Sequence, residues 1–244
     1  MTFEITIPVL NEADSLDVQI RKTLAFVERE IAPRIPTRLV ISDNGSTDGT
    51  TAIAEMLVRE FPDQVRLIKL SERGVGRALK ASWGSSDADI VGYFDLDLAT
   101  DLKHLHGVLD LLLADQADIV TGTRLARGSK VIGRSPVRAF TSRTFNGIVR
   151  LMFHNRFTDG MCGFKFLSRR HYETLLSHGA GSDGWIFATE CLLVAEHIGL
   201  RVADLPVVWT DDPNSKAKIG KLAREYILAL RSLKKRLKQQ APVT

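Results

Sequence analysis

Residues 38–61, RLVISDNGSTDGTTAIAEMLVREF, read as one strand–turn–helix unit. Arg38 to Ser42 is a short apolar run of buried-strand length, and Thr50 to Phe61 repeats its apolar residues at helical spacing. Between them Asp43 ends the strand, Gly45 permits a turn, and Thr47 or Asp48 can cap the helix. The same alternation runs outward in both directions. Strand-like runs lie at Phe3 to Leu10, Val65 to Leu70, Ile90 to Phe94 and Ile119 to Thr121. Helix-period segments lie at Ser15 to Ile31, Val75 to Ser85 and Leu102 to Ala114. Short strands joined by helices of this length predict right-handed crossovers and a mainly parallel sheet flanked by helices, an α/β fold.

Beyond residue 123 the alternation loosens. Gly128, Gly133 and Pro136 mark a loop, and Val137 to Phe153 reads as a helix. CGFKFL reads as a strand, Trp185 to Ile198 as a helix, and Arg201 to Trp209 as a last strand. The chain of 244 residues, 44% apolar and 25% charged, can bury one good core. The expected division is a catalytic unit over 1–215 and a basic amphipathic helix and tail over 216–244. Two cysteines, Cys162 and Cys191, suit a reduced compartment. No basic leader opens the chain and no run of about 20 apolar residues occurs. A cytoplasmic protein, soluble or peripheral on a membrane face, is expected. The formal charge of +4 points to an anionic partner without saying which.

In parallel sheets ligands bind outside the carboxyl ends of the strands. Asn11-Glu12, Asp43 to Ser46 and Asp95-Leu96-Asp97 all follow strand runs. If extended backbone continues through Asp95 and Asp97, both carboxylates point to one side, about 7 Å apart at Cα. Such a pair suits Mg²⁺ or Mn²⁺; the alternative is two solvated turn aspartates. SDNGSTDGT offers a carboxylate to a base or ribose, or is simply a well-made turn. In ERGVGRALK, residues 72–80, Gly74 and Gly76 at a helix start would let backbone N–H groups approach a phosphate. That stretch lacks the third glycine of a dinucleotide fingerprint and the G-K-[ST] of a P-loop.

Charge singles out a further segment. Ile119 through Thr158 holds no Asp or Glu, yet carries Arg124, Arg127, Lys130, Arg134, Arg138, Arg143, Arg150 and Arg156. Arginine favours bidentate phosphate contacts, which suits a phosphate-bearing acceptor. A solvated basic loop is the bland alternative. Nucleic acid is disfavoured because aromatics are sparse among the arginines and no nucleic-acid motif occurs. An acceptor hydroxyl would instead need a base, for which Asp159, Asp183 and Glu190 are the candidates. Trp185 and Phe187 either line a sugar or lipid groove or join the core. His104 and His106 are expected at the surface.

Taken in order, IPVLNE, SDNGSTDGT, ERGVGRALK and DLD resemble the GT-A fold transferases of the second glycosyltransferase family. GTR at 122–124, RAFTSRTFN, DGMCGFKFL, GWIFATE and VVWTDDPNSK make the chain similar to the polyprenyl-phosphate (dolichyl-phosphate) glucosyl- and mannosyltransferases, the glucosyl branch most. The resemblance covers roughly residues 3–220. It implies an inverting hexosyltransferase using a nucleotide-sugar donor, UDP-glucose in the first instance, and a polyprenyl phosphate acceptor. It implies that Pro8, Leu10, Glu12, Asp43, Gly76 and Lys80 bind the donor with Asp95 and Asp97. Asp97 would be the main metal ligand, with Asp95 facing ribose or metal. Arg124, Arg138, Ser142, Lys216 and Trp185 would serve the acceptor, with Arg124 and Glu190 joining the two aspartates as catalytic candidates. Where the family often has an acid in its F-D-x-E stretch, this chain has Ala188, leaving Glu190. The membrane-spanning helices that many relatives carry are missing from the sequence. A family 2 enzyme acting on a sugar hydroxyl, and a nucleotide-sugar-binding module without catalysis, are the competing expectations.

The last helix-period segment, Lys218 to Gln239, carries Leu222, Tyr226, Leu230, Leu233 and Leu237 as one apolar stripe amid cations. Two readings stay open for it: lying on anionic lipid, or packing on its own domain. A separate membrane-protein partner could also bring the enzyme to a lipid.

Overall fold

The computed structural model describes residues 1–211 and 219–239. The first half alternates as the sequence predicts: β1 (Phe3–Val9), α1 (Leu16–Phe26, extended by a π-helical turn to Ile31), β2 (Thr37–Asp43), α2 (Thr50–Glu60), β3 (Val65–Lys69), α3 (Val75–Gly84), β4 (Ile90–Phe94), α4 (His104–Leu113) and β5 (Ile119–Thr123). There follow β6 (Lys130–Ile132), α5 (Pro136–Phe153), β7 (Phe164–Ser168), α6 (Tyr172–Ser177), α7 (Phe187–His197), β8 (Val202–Pro206), β9 (Val208–Thr210) and α8 (Ile219–Gln239).

The described residues form a seven-stranded sheet in the order β3-β2-β1-β4-β7-β5-β8, parallel except for β7, which runs against both neighbours. The chain winds outward from β1 to β3 and then returns to lay β4 against the other side of β1. Carboxyl ends of strands diverge at such a reversal, and a crevice opens there. Along β4 successive residues face opposite sides: Ile90 and Phe94 enter the core under α1, α2 and α4, while Val91 and Tyr93 enter the core under α3 and α5 to α8. Gly92 is needed because a Cβ there would meet the Phe166 ring at 2.0 Å.

Three differences from the expected elements have local causes. Pro136 does not mark a loop; it starts α5, where its missing N–H costs nothing, and the Ser135 hydroxyl accepts the Arg138 N–H at 3.3 Å. The segment after Gly128 contributes β6, which pairs in parallel with β9. The last strand breaks at Val207, so that β8 belongs to the main sheet and β9 to this small one. The stripe on α8 packs on its own domain: Tyr226, Leu230, Leu233 and Leu237 are buried, and the Tyr226 ring lies 5.4 Å from that of Phe145. Both cysteines are free and buried. Burial pushes the Cys162 thiol up to about 12, so it carries no nucleophilic thiolate at neutral pH.

Candidate active site

β1 and β2 end level, with Val9 opposite Asp43. Asn11, at φ 56°, turns the chain, accepts the Thr47 N–H at 2.8 Å and donates its own N–H to Ser46 Oγ at 3.0 Å. The Glu12 N–H reaches Thr50 Oγ1 at 2.8 Å, and the Glu12 carboxylate accepts Ser15 Oγ–H at 2.8 Å. Asp48, not Thr47, serves the start of α2: its Oδ1 accepts the Thr50 N–H at 2.9 Å. The Thr50 hydroxyl, then that N–H, hold its carboxyl below the ordinary range. Asp43 is 2% exposed, and its carboxylate takes the Ser46 N–H and the Thr51 hydroxyl. The turn therefore uses this carboxylate for itself. Pro8 and Leu10 are half-buried at the end of β1. β1 pairs with β4 as far as Thr6 opposite Tyr93.

Gly74 and Gly76 do something other than present N–H groups to a phosphate. The Gly76 N–H donates to Gly184 O and the Arg77 N–H to Asp183 O, each at 3.1 Å. A Cβ on Gly76 would lie 2.3 Å from Ser182 O, and one on Gly74 would lie 2.4 Å from Asp183 O. The glycines admit the 181–184 loop, whose carbonyls cap α3. Side chains fasten it: Lys80 Nζ pairs with Asp183 Oδ1 at 2.6 Å and Arg77 Nη2 with Asp183 Oδ2 at 3.0 Å. Glu190 holds the loop from beneath. Fully buried, it accepts the Gly181 and Ser182 N–H groups, the Ser182 hydroxyl and Arg236 Nη2. On this loop Trp185 is 47% exposed, whereas Phe187 is buried against Trp83. Lys216 lies outside the described residues. His104 is half-buried: its Nε2 accepts the Val208 N–H at 2.8 Å, and burial lowers its pKa.

The aspartate pair lies at the end of β4, where pairing stops at Phe94 opposite Phe164. The backbone then turns, with the Leu98 N–H donating to Asp95 O at 3.2 Å and Leu98 at φ 52°. The two acids thus project from a turn, not from continuing strand as expected. Asp95 is half-buried and Asp97 exposed, with Asp97 Oδ1 accepting the Ala99 N–H at 3.0 Å. Burial, and next the charge of Asp97, push Asp95 up to about 7, against the pull of Lys165 and Arg124. Two hard carboxylates side by side, the charge of Asp97 raising the proton affinity of Asp95, are a fitting donor pair for a divalent cation. No larger group of His, Cys, Asp or Glu suited to a metal occurs among the described residues.

Three of the eight cations in the acid-free window turn inward. Arg124, 7% exposed, forms a bidentate pair with fully buried Asp159 at 2.7 and 3.0 Å and stacks 4.8 Å from the Trp209 ring centre. Arg138 Nη1 pairs with Asp211 at 3.0 Å, and Arg134 Nη2 donates to Arg138 O. Burial, then the charge of Arg124, lowers the Arg134 pKa. Among the described residues, three guanidiniums thus gather around two carboxylates. Ser142 Oγ, Arg134 Nε and Trp209 Nε1 are buried with no hydrogen-bond partner among the described residues. β9 fixes this cradle to the aspartate turn: the Thr210 N–H donates to Ala99 O at 2.8 Å and the Asp101 N–H to Val208 O at 3.2 Å. Arg127, Lys130, Arg143, Arg150 and Arg156 point to solvent.

The sequence reading missed Arg134 as an inward member, Trp209 as its neighbour, Lys165 and Gly163. Lys165 is 3% exposed, bonded to Cys162 O and 5.9 Å from the Tyr93 ring centre. Gly163 gives Asp95 its space, since a Cβ would lie 1.8 Å from Asp95 Oδ2. A lysine inside an apolar β run was the available signal.

The model of the family described as glycosyl transferase family 2 matches residues 4–176. Glycosyltransferase AglD of Haloferax volcanii is 32% identical over 91% of this chain, which spans 35% of that protein's length. Dolichyl-phosphate beta-glucosyltransferase ALG5C of Trichomonas vaginalis is 26% identical over 91% of this chain and 67% of its own length. Among solved structures, mannosyl-3-phosphoglycerate synthase from Rubrobacter xylanophilus superposes with a TM-score of 0.68 over the whole chain and 76% of its own, at 18% identity. At that identity the likeness shows the GT-A fold alone.

Proposed function

Since the chain belongs to glycosyl transferase family 2, we propose that it moves a hexose, glucose from UDP-glucose in the first instance, onto a polyprenyl phosphate with inversion. The observation that carries the reading is the arginine-lined cradle tied through β9 to the aspartate turn. It is a seat for a second phosphate beside a seat for a diphosphate. Relatives named as dolichyl-phosphate beta-glucosyltransferases add support for the acceptor class.

In this reading Asp97, with Asp95, would hold Mg²⁺ or Mn²⁺. That ion would neutralise charge on the leaving diphosphate. Pro8, Leu10 and Glu12 flank the crevice on the β1 side, where the nucleoside belongs. Arg138, Arg134 and the Ser142 hydroxyl bind the acceptor phosphate, while Arg124, locked by Asp159, supplies fixed positive charge behind it. A phosphomonoester has a second pKa of about 6, so the acceptor arrives already anionic. The protein has to orient it in line with the anomeric carbon, and a single displacement inverts that centre.

A hydroxyl acceptor would need a base. Asp159 is consumed by Arg124, Asp183 by Lys80 and Arg77, and Glu190 by four donors. Those engagements support the phosphate reading. Among the described residues no helix is long and apolar enough to cross a membrane. The proposal makes the protein peripheral at the cytoplasmic face, binding no nucleic acid.

The test is transfer of labelled sugar from UDP-glucose, GDP-mannose or UDP-N-acetylglucosamine to decaprenyl and undecaprenyl phosphate with Mn²⁺. Asp97→Ala should abolish turnover, and Arg138→Ala should chiefly raise the acceptor KM. Binding of nucleotide sugar with no transfer to either lipid would refute the enzyme reading, and transfer to a sugar hydroxyl would refute the acceptor.

A further inference from the structure

The terminal helix α8 grips the 179–184 loop through one side chain. Arg236 donates to Gly179 O from Nε at 3.1 Å and from Nη2 at 2.9 Å, and Nη2 also donates to Glu190 Oε1 at 3.1 Å. Its Nη1 donates to Ser232 Oγ, one turn back on α8, at 2.8 Å. The other three donors to fully buried Glu190 are the Gly181 N–H, the Ser182 N–H and the Ser182 hydroxyl, all from the same loop. Among the described residues Arg236 is the only cation that ion-pairs with this carboxylate. A buried charge is tolerated only when it is both paired and hydrogen-bonded, so Arg236 and the loop hold Glu190 as it holds them.

Beyond Ser182 the loop meets both sides of the site. It caps α3, whose Gly74 donates its N–H to Asn44 Oδ1 in the turn after β2 at 3.3 Å. Next to Glu190, the Thr189 hydroxyl donates to Gly160 O at 2.6 Å, beside the Asp159 that locks Arg124. Residues 181–190 therefore run from the turn after β2 to the edge of the cradle. Trp185 is the exposed aromatic on that span, 47% exposed against 1% for Trp83 and 7% for Trp209. We propose that Arg236 is a positioning residue, acting through Glu190 and Gly179 to hold the loop that sets the Trp185 ring against bound substrate. A side chain that orients substrate works only if its support is fixed to about 0.5 Å. α8 is then part of the working site. The task given to Trp185 rests on the transferase reading; the hold of Arg236 on the loop does not.

The test reads loop and reaction separately on the full chain. Acrylamide quenching of tryptophan fluorescence reports Trp185, because Trp83 and Trp209 are buried; Trp185→Ala should remove most of it. Arg236→Ala should raise the quenching constant and lower kcat/KM for a water-soluble short-chain isoprenyl phosphate about tenfold or more. Arg236→Lys keeps a cation on Glu190, and with it the fold, but loses the fork onto Gly179 O; it should show both changes in smaller measure. Lys235→Ala removes the same charge from an exposed position on α8 and should match wild type in both. In a Trp185→Ala background, Arg236→Ala should cost little further kcat/KM, whereas general loosening of the fold would cost the same as before. Wild-type quenching in both Arg236 variants overturns the proposal, and so does an undiminished loss in the Trp185→Ala background. Altered quenching in a protein that transfers no sugar to any isoprenyl phosphate would leave the hold on the loop standing and remove the proposed acceptor.

Discussion

Replacing Gly163 by alanine probes the aspartate turn with one methyl group. Gly163 precedes Phe164, which pairs with Phe94, so it stands opposite Asp95. A Cβ there would lie 1.8 Å from Asp95 Oδ2, 2.5 Å from Cγ and 2.9 Å from Oδ1. Ordinary contact begins at 3.4 Å, so the carboxylate or the β7 approach must give way by about 1.6 Å, because repulsion rises steeply at shorter range. Asp95 is half-buried, so overpacking should cost about 1–3 kcal/mol of stability and leave the fold intact. Function should suffer more. Misplacing a group at the reacting centre by about 1 Å costs on the order of 100-fold in rate, and kcat/KM in the lipid transfer assay should fall by that much. Gly147→Ala is the control: it lies within α5 with nothing within 4 Å of its added Cβ. It should stabilise by up to about 1 kcal/mol and leave turnover alone. If Gly163→Ala, folded and metal-supplied, kept wild-type kcat/KM, Asp95 would have no positional role in the reaction.

Three further outcomes follow from the packing. Asp159→Ala strands the buried Arg124 guanidinium and should cost about 3–5 kcal/mol in denaturant unfolding; a loss below 1 kcal/mol would mean that the pair is not buried as described. Leu233→Ala, at a fully buried site on α8, should cost about 2–5 kcal/mol; a neutral result would show that the helix does not pack on the domain. Asp118 is held below the ordinary carboxylate range, first by the hydrogen bond from Arg201. A lowered folded pKa stabilises above the unfolded value, so the advantage of wild type over Asp118→Asn should be full at neutral pH. It should shrink as pH falls through about 4, and a constant melting-temperature difference from pH 7 to 3 would contradict the linkage.

Much of this was written locally. Residues 38–61 show strand, turn and helix in their own periodicity, and the positions of Glu12 and Asp95 just past apolar runs locate the crevice. The acid-free window is a fact of composition. Covering partners were not legible. The stripe on α8 and the side chains of Val137, Phe140 and Leu151 on α5 are alike apolar, yet the first is buried and the others are exposed. Gly74 and Gly76 read as a phosphate loop because the carbonyls they admit come from residues more than a hundred positions away.

The sequence by itself determined which faces are apolar, where strands stop and which segments carry unbalanced charge, because each depends on near neighbours along the chain. Only the tertiary structure decided what meets those faces and charges. It paired Arg124 with Asp159, spent Asp43 on its own turn, gave Glu190 to a loop and, among the described residues, left donors of Arg134, Ser142 and Trp209 unmet. Each outcome depends on distances between segments remote in sequence, and burial makes an unpaired polar group costly only once those segments have come together.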